Sequence, residues 1–168
     1  VELTDGNQDV LLCSSSGKAI CFNESNVRAM GRSAGGVRGI KLKDDQKVIS
    51  LIIAHEGSVL TTTTNGYGKR TAMDDYPRHG RGGQGVISIK TNERNGEIVG
   101  AVQVKADDEI MMITDNGTLV RIAVSDVSEM GRNTQGVRLI RLTKGEKLAE
   151  IERIEALPSD GEESDDDA

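Results

Sequence analysis

Apolar and polar residues alternate along this chain in short bursts, each about the length of one β-strand, and the bursts recur. Residues 10–13, 59–63 and 110–114 are rich in Val, Ile, Leu, Met and Thr, a composition suited to a pleated, half-buried surface. Each run meets a turn at Ser16-Gly17, Asn65-Gly66 or Asn116-Gly117. The two Asn-Gly dipeptides predict two-residue hairpin loops, because a type I′ turn needs positive φ at both positions. Return strands are expected over 18–22, 68–72 and 118–123, followed by a cap residue (Ser25, Asp74, Ser125) and at most one helical turn. A glycine-arginine loop comes next. A third strand starts at Val37, Val86 or Val137, and after a polar turn a fourth covers 48–53, 98–104 or 148–154. No stretch of about ten residues has helical periodicity. The pattern predicts an all-β chain of propeller-like blades, each of four antiparallel strands.

The units keep a common register. Gly31-Arg32-Ser33-Ala34-Gly35-Gly36-Val37 recurs as Gly80-Arg81-Gly82-Gly83-Gln84-Gly85-Val86 and as Gly131-Arg132-Asn133-Thr134-Gln135-Gly136-Val137, at offsets of 49 and 51. The turn glycines Gly17, Gly66 and Gly117 keep the same offsets, as do the strand starts Val10, Val59 and Ile110. A fixed period of this length marks a repeat architecture. Three repeats are expected at about 1–50, 51–101 and 102–154. Val1-Glu2-Leu3 aligns with Leu51-Ile52-Ile53 and Val102-Gln103-Val104. The chain is therefore expected to start inside a strand of a preceding blade, as a fragment. Gly31, Gly36, Gly80, Gly82, Gly83, Gly85, Gly131 and Gly136 are expected to be structural, letting the loops turn sharply between strands.

Charge alters this picture only when divided along the chain. The sequence holds 27 acids and 21 bases, for a net charge of −6. Seven of the acids (Glu155, Asp160, Glu162, Glu163, Asp165, Asp166, Asp167) lie beyond residue 154 without a base, leaving 20 acids against 21 bases before them. A near-neutral body is thus expected to carry a disordered acidic tail over 155–168. Such a tail either solubilises the chain or competes weakly for basic sites on the body. With Phe22, Tyr67 and Tyr76 the only aromatics, the core must be built from Val, Ile, Leu and Met. Single-strand binding through stacked rings is disfavoured for the same reason. There is no signal peptide and no apolar run of bilayer length, so a cytoplasmic chain without a membrane partner is expected.

Few residues suggest chemistry. With Ser16-Gly17 as a two-residue loop, Cys13 would pair with Ile20 and Leu12 with Cys21, pointing the two sulfurs to opposite faces, so no disulfide is expected. Gly80-Arg81-Gly82-Gly83-Gln84-Gly85 matches the dinucleotide fingerprint in form only, because Val86-Ile87-Ser88-Ile89-Lys90 alternates like a strand where the fingerprint requires a helix. His55 and His79 stand in loop-like sequence with no recurring nucleophile or carboxylate pair, and no catalytic residue or metal site is expected. A G-K-[ST] phosphate loop is also absent, so no ATP hydrolysis is expected. The repeated bases remain. Arg32, Arg81 and Arg132 occupy one position, and Lys41, Lys90 and Arg141 another, five residues past the last loop glycine. Arg28, Arg38, Lys69, Arg70, Arg121 and Arg138 cluster in the same half of each unit. Their register suggests a track for the phosphates of a nucleic acid, which fix a duplex without reading its bases.

At these loops the chain resembles a known family. Asn65-Gly66-Tyr67-Gly68-Lys69-Arg70-Thr71, the run from Met111 to Arg121, and Met130-Gly131-Arg132-Asn133-Thr134-Gln135-Gly136-Val137 are similar to the later blades of the C-terminal domain of the bacterial DNA gyrase A subunit. The resemblance covers about residues 1–154. It implies a β-pinwheel, in which neighbouring blades exchange a strand, and a domain that binds and wraps double-stranded DNA around a basic rim. It implies as partners the remainder of the gyrase A subunit, and the gyrase B subunit, in an A2B2 complex. ATP and Mg would be used elsewhere in that complex, with no cofactor held here. The family's box of a glutamine, a basic pair, two glycines, a base and a glycine is echoed only by Arg81-Gly82-Gly83-Gln84-Gly85. A C-terminal domain of the topoisomerase IV A subunit selecting DNA crossings, or a protein-interaction propeller without a DNA role, are the alternatives.

Overall fold

A computed structural model describes residues 1–156. Its unit is a hairpin: β1 (Asp9–Ser14) with β2 (Lys18–Asn23), then β4 (Ser58–Thr63) with β5 (Tyr67–Ala72), then β8 (Glu109–Thr114) with β9 (Leu119–Ala123). The first strand of each hairpin pairs on its other side with β3 (Val48–Ile53), β7 (Ile98–Val104) or β11 (Leu148–Ile154), all antiparallel. The short strands β6 (Val86–Ile87) and β10 (Val137–Arg138) belong to the following repeat, yet they complete the sheet of the repeat before. Sheet orders are therefore β3-β1-β2-β6, β10-β5-β4-β7 and β11-β8-β9. A single 3-10 turn follows each hairpin, at Glu24–Asn26, Met73–Asp75 and Val124–Asp126.

Three sequence expectations need correction. The hairpin loops hold three residues, not two: Cys13 pairs with Ala19 and Leu12 with Ile20, and the other hairpins keep the same spacing. Only the glycine of each loop has positive φ (Gly17 at 87°, Gly66 at 79°, Gly117 at 84°), while Asn65 and Asn116 do not. Each glycine N–H donates three residues back, to Ser14, Thr63 or Thr114, at 3.1, 2.9 and 3.0 Å. A left-handed glycine closing a three-residue loop is the next most common hairpin geometry, and an Asn-Gly dipeptide serves it equally well. The one-residue change of register flips one cysteine to the other face. Cys13 and Cys21 thus share a face with Leu11 and Ala19, and both are buried free thiols. Burial pushes the Cys13 thiol up to about 12.

The second correction concerns Val37, which lies in no strand although its counterparts Val86 and Val137 start β6 and β10. Those strands pair with the hairpin of the repeat before their own, and the described residues hold no hairpin before β1 with which Val37 could pair. The third concerns Val1-Glu2-Leu3, which forms no strand; Val1 and Leu3 are exposed. The acidic segment falls outside the described residues apart from Glu155 and Ala156.

Sheets stack face to face, and the core lies between them. Leu11, Cys13, Ala19, Cys21 and Ile52 of the first sheet meet Val59, Met73, Tyr76 and Ala101 of the second repeat. Leu60 and Val104 of the second meet Ile110, Met112, Val124, Leu148 and Ile151 of the third. Sheets come so close that a Cβ on Gly100 would stand 2.7 Å from Ile151 Cγ1. Because central strands are covered on both faces, β4 is buried at every position, and simple alternation is lost there.

The seam between repeats is fixed by backbone approach. Gly85 and Gly136 have φ of +70° and +75°, and a Cβ on either would lie 2.3 Å from Ala19 O or 2.6 Å from Gly68 O. Only glycine meets both conditions. Beneath the third repeat's loop, the fully buried Lys69 donates from Nζ to Gly131 O at 2.7 Å and Arg132 O at 2.6 Å. Burial, and secondarily the Arg132 guanidinium, pull its ammonium down to about 8, against a weaker opposite pull from Asp75. A second recurring device closes the polar turn before the fourth strand of each unit. Gln46, Asn95 and Glu146 each accept, through a side-chain oxygen, the N–H of the residue three before: Lys43, Asn92 and Thr143. Hydrogen bonds from Thr114 Oγ1, then from Thr143, hold the Glu146 carboxyl down at about 2.

Gly136→Ala is expected to lower unfolding free energy by more than Gly36→Ala, because both residues have positive φ but only Gly136 faces a backbone oxygen. The shared left-handed strain costs about 1–2 kcal/mol, and urea unfolding that ranks the two alike contradicts the close seam. Lys69 gives a pH signature. Its folded-state pKa lies below the ordinary lysine value, so between pH 8 and 10.5 the unfolded chain binds more protons and stability rises with pH. The stability difference between wild type and Lys69→Met should climb through this window by up to about 1.4 kcal/mol per pH unit. A difference independent of pH would show that Lys69 is not held as described.

Candidate nucleic-acid interface

The repeated arginines prove to be struts as well as surface charges. Arg81 donates from Nε to Asn26 O at 2.8 Å and from Nη1 to Arg38 O at 3.0 Å. Arg132 donates from Nη1 to Ile87 O at 2.9 Å, and Ile87 holds in its repeat the place of Arg38. Each guanidinium thus ties its loop to the backbone of the preceding repeat and stays half-buried. This accounts for the recurrence without a ligand, although a guanidinium has five donors and neither residue spends more than two here. Arg32 is exposed and makes no such tie among the described residues.

The second set is seated differently. The main-chain N–H groups of Lys41 and Lys90 donate to Gly83 O and Thr134 O, both at 2.8 Å, so the next repeat's loop fixes their backbone. Gly83 and Thr134 are equivalent positions, and the two lysines therefore occupy equivalent places on two successive seams. Their side chains are exposed, as are those of Arg141, Arg28 and Arg38, and none of the five enters an ion pair among the described residues.

The rest of the expected set divides. Lys69 is interior and two of its three donors are taken, so it offers no charge to the surface. Arg70 is half-buried with Nε on Val127 O at 2.7 Å. Arg121 is exposed but ion-paired with Glu109 across its hairpin. Arg138 stands directly opposite Tyr67 in the ladder between β10 and β5 and donates to its hydroxyl at 2.9 Å.

Arg94 and Lys147 also carry charge here, and periodicity passed over both. Arg94 donates from Nε to the same Tyr67 hydroxyl at 3.3 Å. Its counterparts at the same place in the other repeats are Asp45 and Gly145, so a search for bases in register finds nothing. Of the expected structural glycines, Gly82, Gly85, Gly36 and Gly136 have positive φ, whereas Gly31, Gly80, Gly83 and Gly131 do not. The Gly80–Gly85 loop runs into strand β6, so a strand and not a helix follows it. His55 and His79 are exposed. No cluster of metal-ligating side chains occurs among the described residues, and no helix there is long and apolar enough to cross a membrane.

Comparison with known proteins bears on what these charges serve. The family described as DNA gyrase C-terminal domain, beta-propeller, matches the chain three times, over residues 8–55, 57–105 and 108–155. The DNA gyrase A subunit of Salmonella typhimurium (strain LT2) is 60% identical over 166 residues, which cover 98% of this chain and 19% of that protein. Its Escherichia coli K12 counterpart is 55% identical over the same shares. The chain spans about a fifth of the length of these relatives. Among solved structures, that of a DNA gyrase A C-terminal domain superposes with TM-score 0.82 at 29% identity, covering 89% of this chain and 52% of that one. The C-terminal domain of a DNA topoisomerase IV gives TM-score 0.86 at 25% identity, with 92% and 49% covered. The three matched segments each enclose one hairpin and its outer strand, and the strands exchanged between them follow from the same repeat. This chain belongs to the DNA gyrase C-terminal domain family of β-propellers.

Proposed function

We propose that this chain is a DNA-binding and DNA-wrapping segment of a gyrase A subunit, holding duplex DNA by its phosphates along the seams between repeats. The observation that carries the reading is the equivalent placement of Lys41 and Lys90, exposed, in no ion pair among the described residues and backed by the next repeat's loop. Arg141, Arg28, Arg32 and Arg38 extend the same free positive charge. Phosphate contacts of this kind position a duplex without a base code. A duplex held at successive seams is in this reading bent along the array, and a bent duplex of fixed hand is what a supercoiling enzyme must present to its cleavage site. In this reading the remainder of the gyrase A subunit, and the B subunit in an A2B2 complex, supply cleavage and ATP-driven steps with Mg, and this segment contributes no catalytic group. The names of the relatives favour gyrase over topoisomerase IV, and supercoiling by a gyrase core carrying this segment distinguishes the two.

Titrating the chain with duplex DNA across a salt series tests the proposal. The logarithm of affinity should fall linearly with log salt, and each phosphate contact removed should lower the slope by about 0.9. Changing Lys41, Lys90 and Arg141 together to Gln is expected to flatten the slope and weaken unrelated duplexes alike. Lys69→Met should leave the slope unchanged. A triple variant with the wild-type slope would place the DNA path elsewhere, and salt-independent or absent binding would favour a protein-interaction propeller.

A further inference from the structure

We propose that Tyr67, Arg94, Arg138 and Arg141 form a fixed clamp for one backbone phosphate of duplex DNA, built once in the chain rather than once per repeat. The proposal rests on the DNA-binding reading above and names a subsite within it. The four residues line an open cavity of about 400 Å³, whose wider mouth also reaches Lys147.

The geometry argues for an anion. Tyr67 is 6% exposed, and its hydroxyl oxygen accepts from Arg94 Nε at 3.3 Å and Arg138 Nη2 at 2.9 Å. The same two guanidinium carbons stand 5.0 and 5.4 Å from the centre of the ring, within reach of the cation–π attraction that holds them over it. With its oxygen already accepting twice, the phenol has only its own O–H left to give. The polar side chains around the cavity, beside Leu139 and Ile140, are therefore donors: one O–H and three guanidinium groups. Two guanidinium groups drawn onto one hydroxyl repel each other, and neither is ion-paired with an acid among the described residues. Arg94, Arg138, Arg141 and Lys147 enter no ion pair among the described residues. Glu146 lines the wider mouth as a charged carboxylate, but its oxygens accept from Thr114 and Thr143 and pair with none of these bases. The two arginines hold the Tyr67 hydroxyl below the usual tyrosine range, in keeping with the positive potential of the cavity.

A phosphodiester suits this arrangement better than a compact free anion. Planar guanidinium forks bind phosphate oxygens in pairs, and the opening admits a group presented on a chain from outside. Arg141 ties the cavity to the track already proposed. In the other repeats the places of Tyr67 and Arg94 are held by Lys18 with Asp45 and by Thr118 with Gly145. The clamp would thus mark one point along the duplex as a firmer grip than the rest.

The test uses the full chain with Arg94→Gln/Arg138→Gln, Arg94→Lys and Tyr67→Phe, in duplex titrations across salt and in NMR of the arginine Nε–H groups. The double variant should lower the salt slope by about 0.9, the share of one phosphate. Arg94→Lys should keep the slope, and Tyr67→Phe should keep it while weakening binding several-fold, because the charges remain but lose their aim. Duplex should shift the Arg94 and Arg138 Nε–H signals far more than inorganic phosphate at equal phosphate concentration. Wild-type duplex binding with an unchanged slope in the double variant overturns the clamp and leaves the broader reading standing. Signals that answer to inorganic phosphate but not to duplex assign the cavity to a free phosphate and overturn the clamp as well. Absence of duplex binding by the wild-type chain overturns both.

Discussion

The close approach of a glycine loop to the backbone of the repeat before it is the constraint on which the rest of this structure depends. Each hairpin has a second strand with one open side. In the first two hairpins the open side is closed by two residues of the next repeat, Val86–Ile87 or Val137–Arg138. So short a strand contributes few ladder bonds, and it is held by what surrounds it. Gly17 O accepts from both Ser88 N and Ile89 N, and Gly66 O from both Leu139 N and Ile140 N. Gly85 and Gly136 allow this approach because a side chain there would occupy the neighbour's carbonyl. Exchange of strands thus turns three small sheets, each marginal alone, into one array whose neighbours share both a ladder and a core.

The same constraint shapes the charge distribution. A loop pressed on its neighbour needs donors for the carbonyls it covers, and Arg81, Arg132 and Lys69 supply them. Arg81 and Arg132 therefore recur for reasons of assembly. The residues just beyond the loop, Lys41 and Lys90, have their backbone fixed by the seam and their side chains left in solvent. Structural and solvent-facing bases therefore lie side by side, and the repeat alone does not separate them. A buried amine costs the fold a charge in low dielectric unless it is well bonded, which is why Lys69 sits on two carbonyls.

Much of this was legible in the sequence. Hairpin positions, the period and the glycine loops followed from alternation and from in-register glycines, and strand exchange followed from the family resemblance. Loop length did not, because Asn-Gly fits both a two-residue and a three-residue hairpin, and this one-residue difference decided the face of the cysteines. The burial of Lys69 was hidden because β5 is covered on both sides, so no alternation separates Lys69 from Arg70. The strut role of Arg81 and Arg132 looked like a ligand track because both produce recurrence. Arg94 was invisible to periodicity for the opposite reason: it has no counterpart in either other repeat, and its partner Tyr67 is brought to it by folding.

Native-state amide hydrogen exchange tests the central claim most directly. If the exchanged strands and glycine loops are part of one cooperative array, the amides of His79, Ser88, Met130 and Leu139, which bond to the preceding repeat at 2.8 to 2.9 Å, should be protected as strongly as those of the central hairpins. The amide of Val37, which lies in no strand, should exchange fast. Rapid exchange at Ser88 and Leu139 while β4 and β5 remain protected would contradict the account, since the repeats would then stand by their own sheets and not by the strands they share.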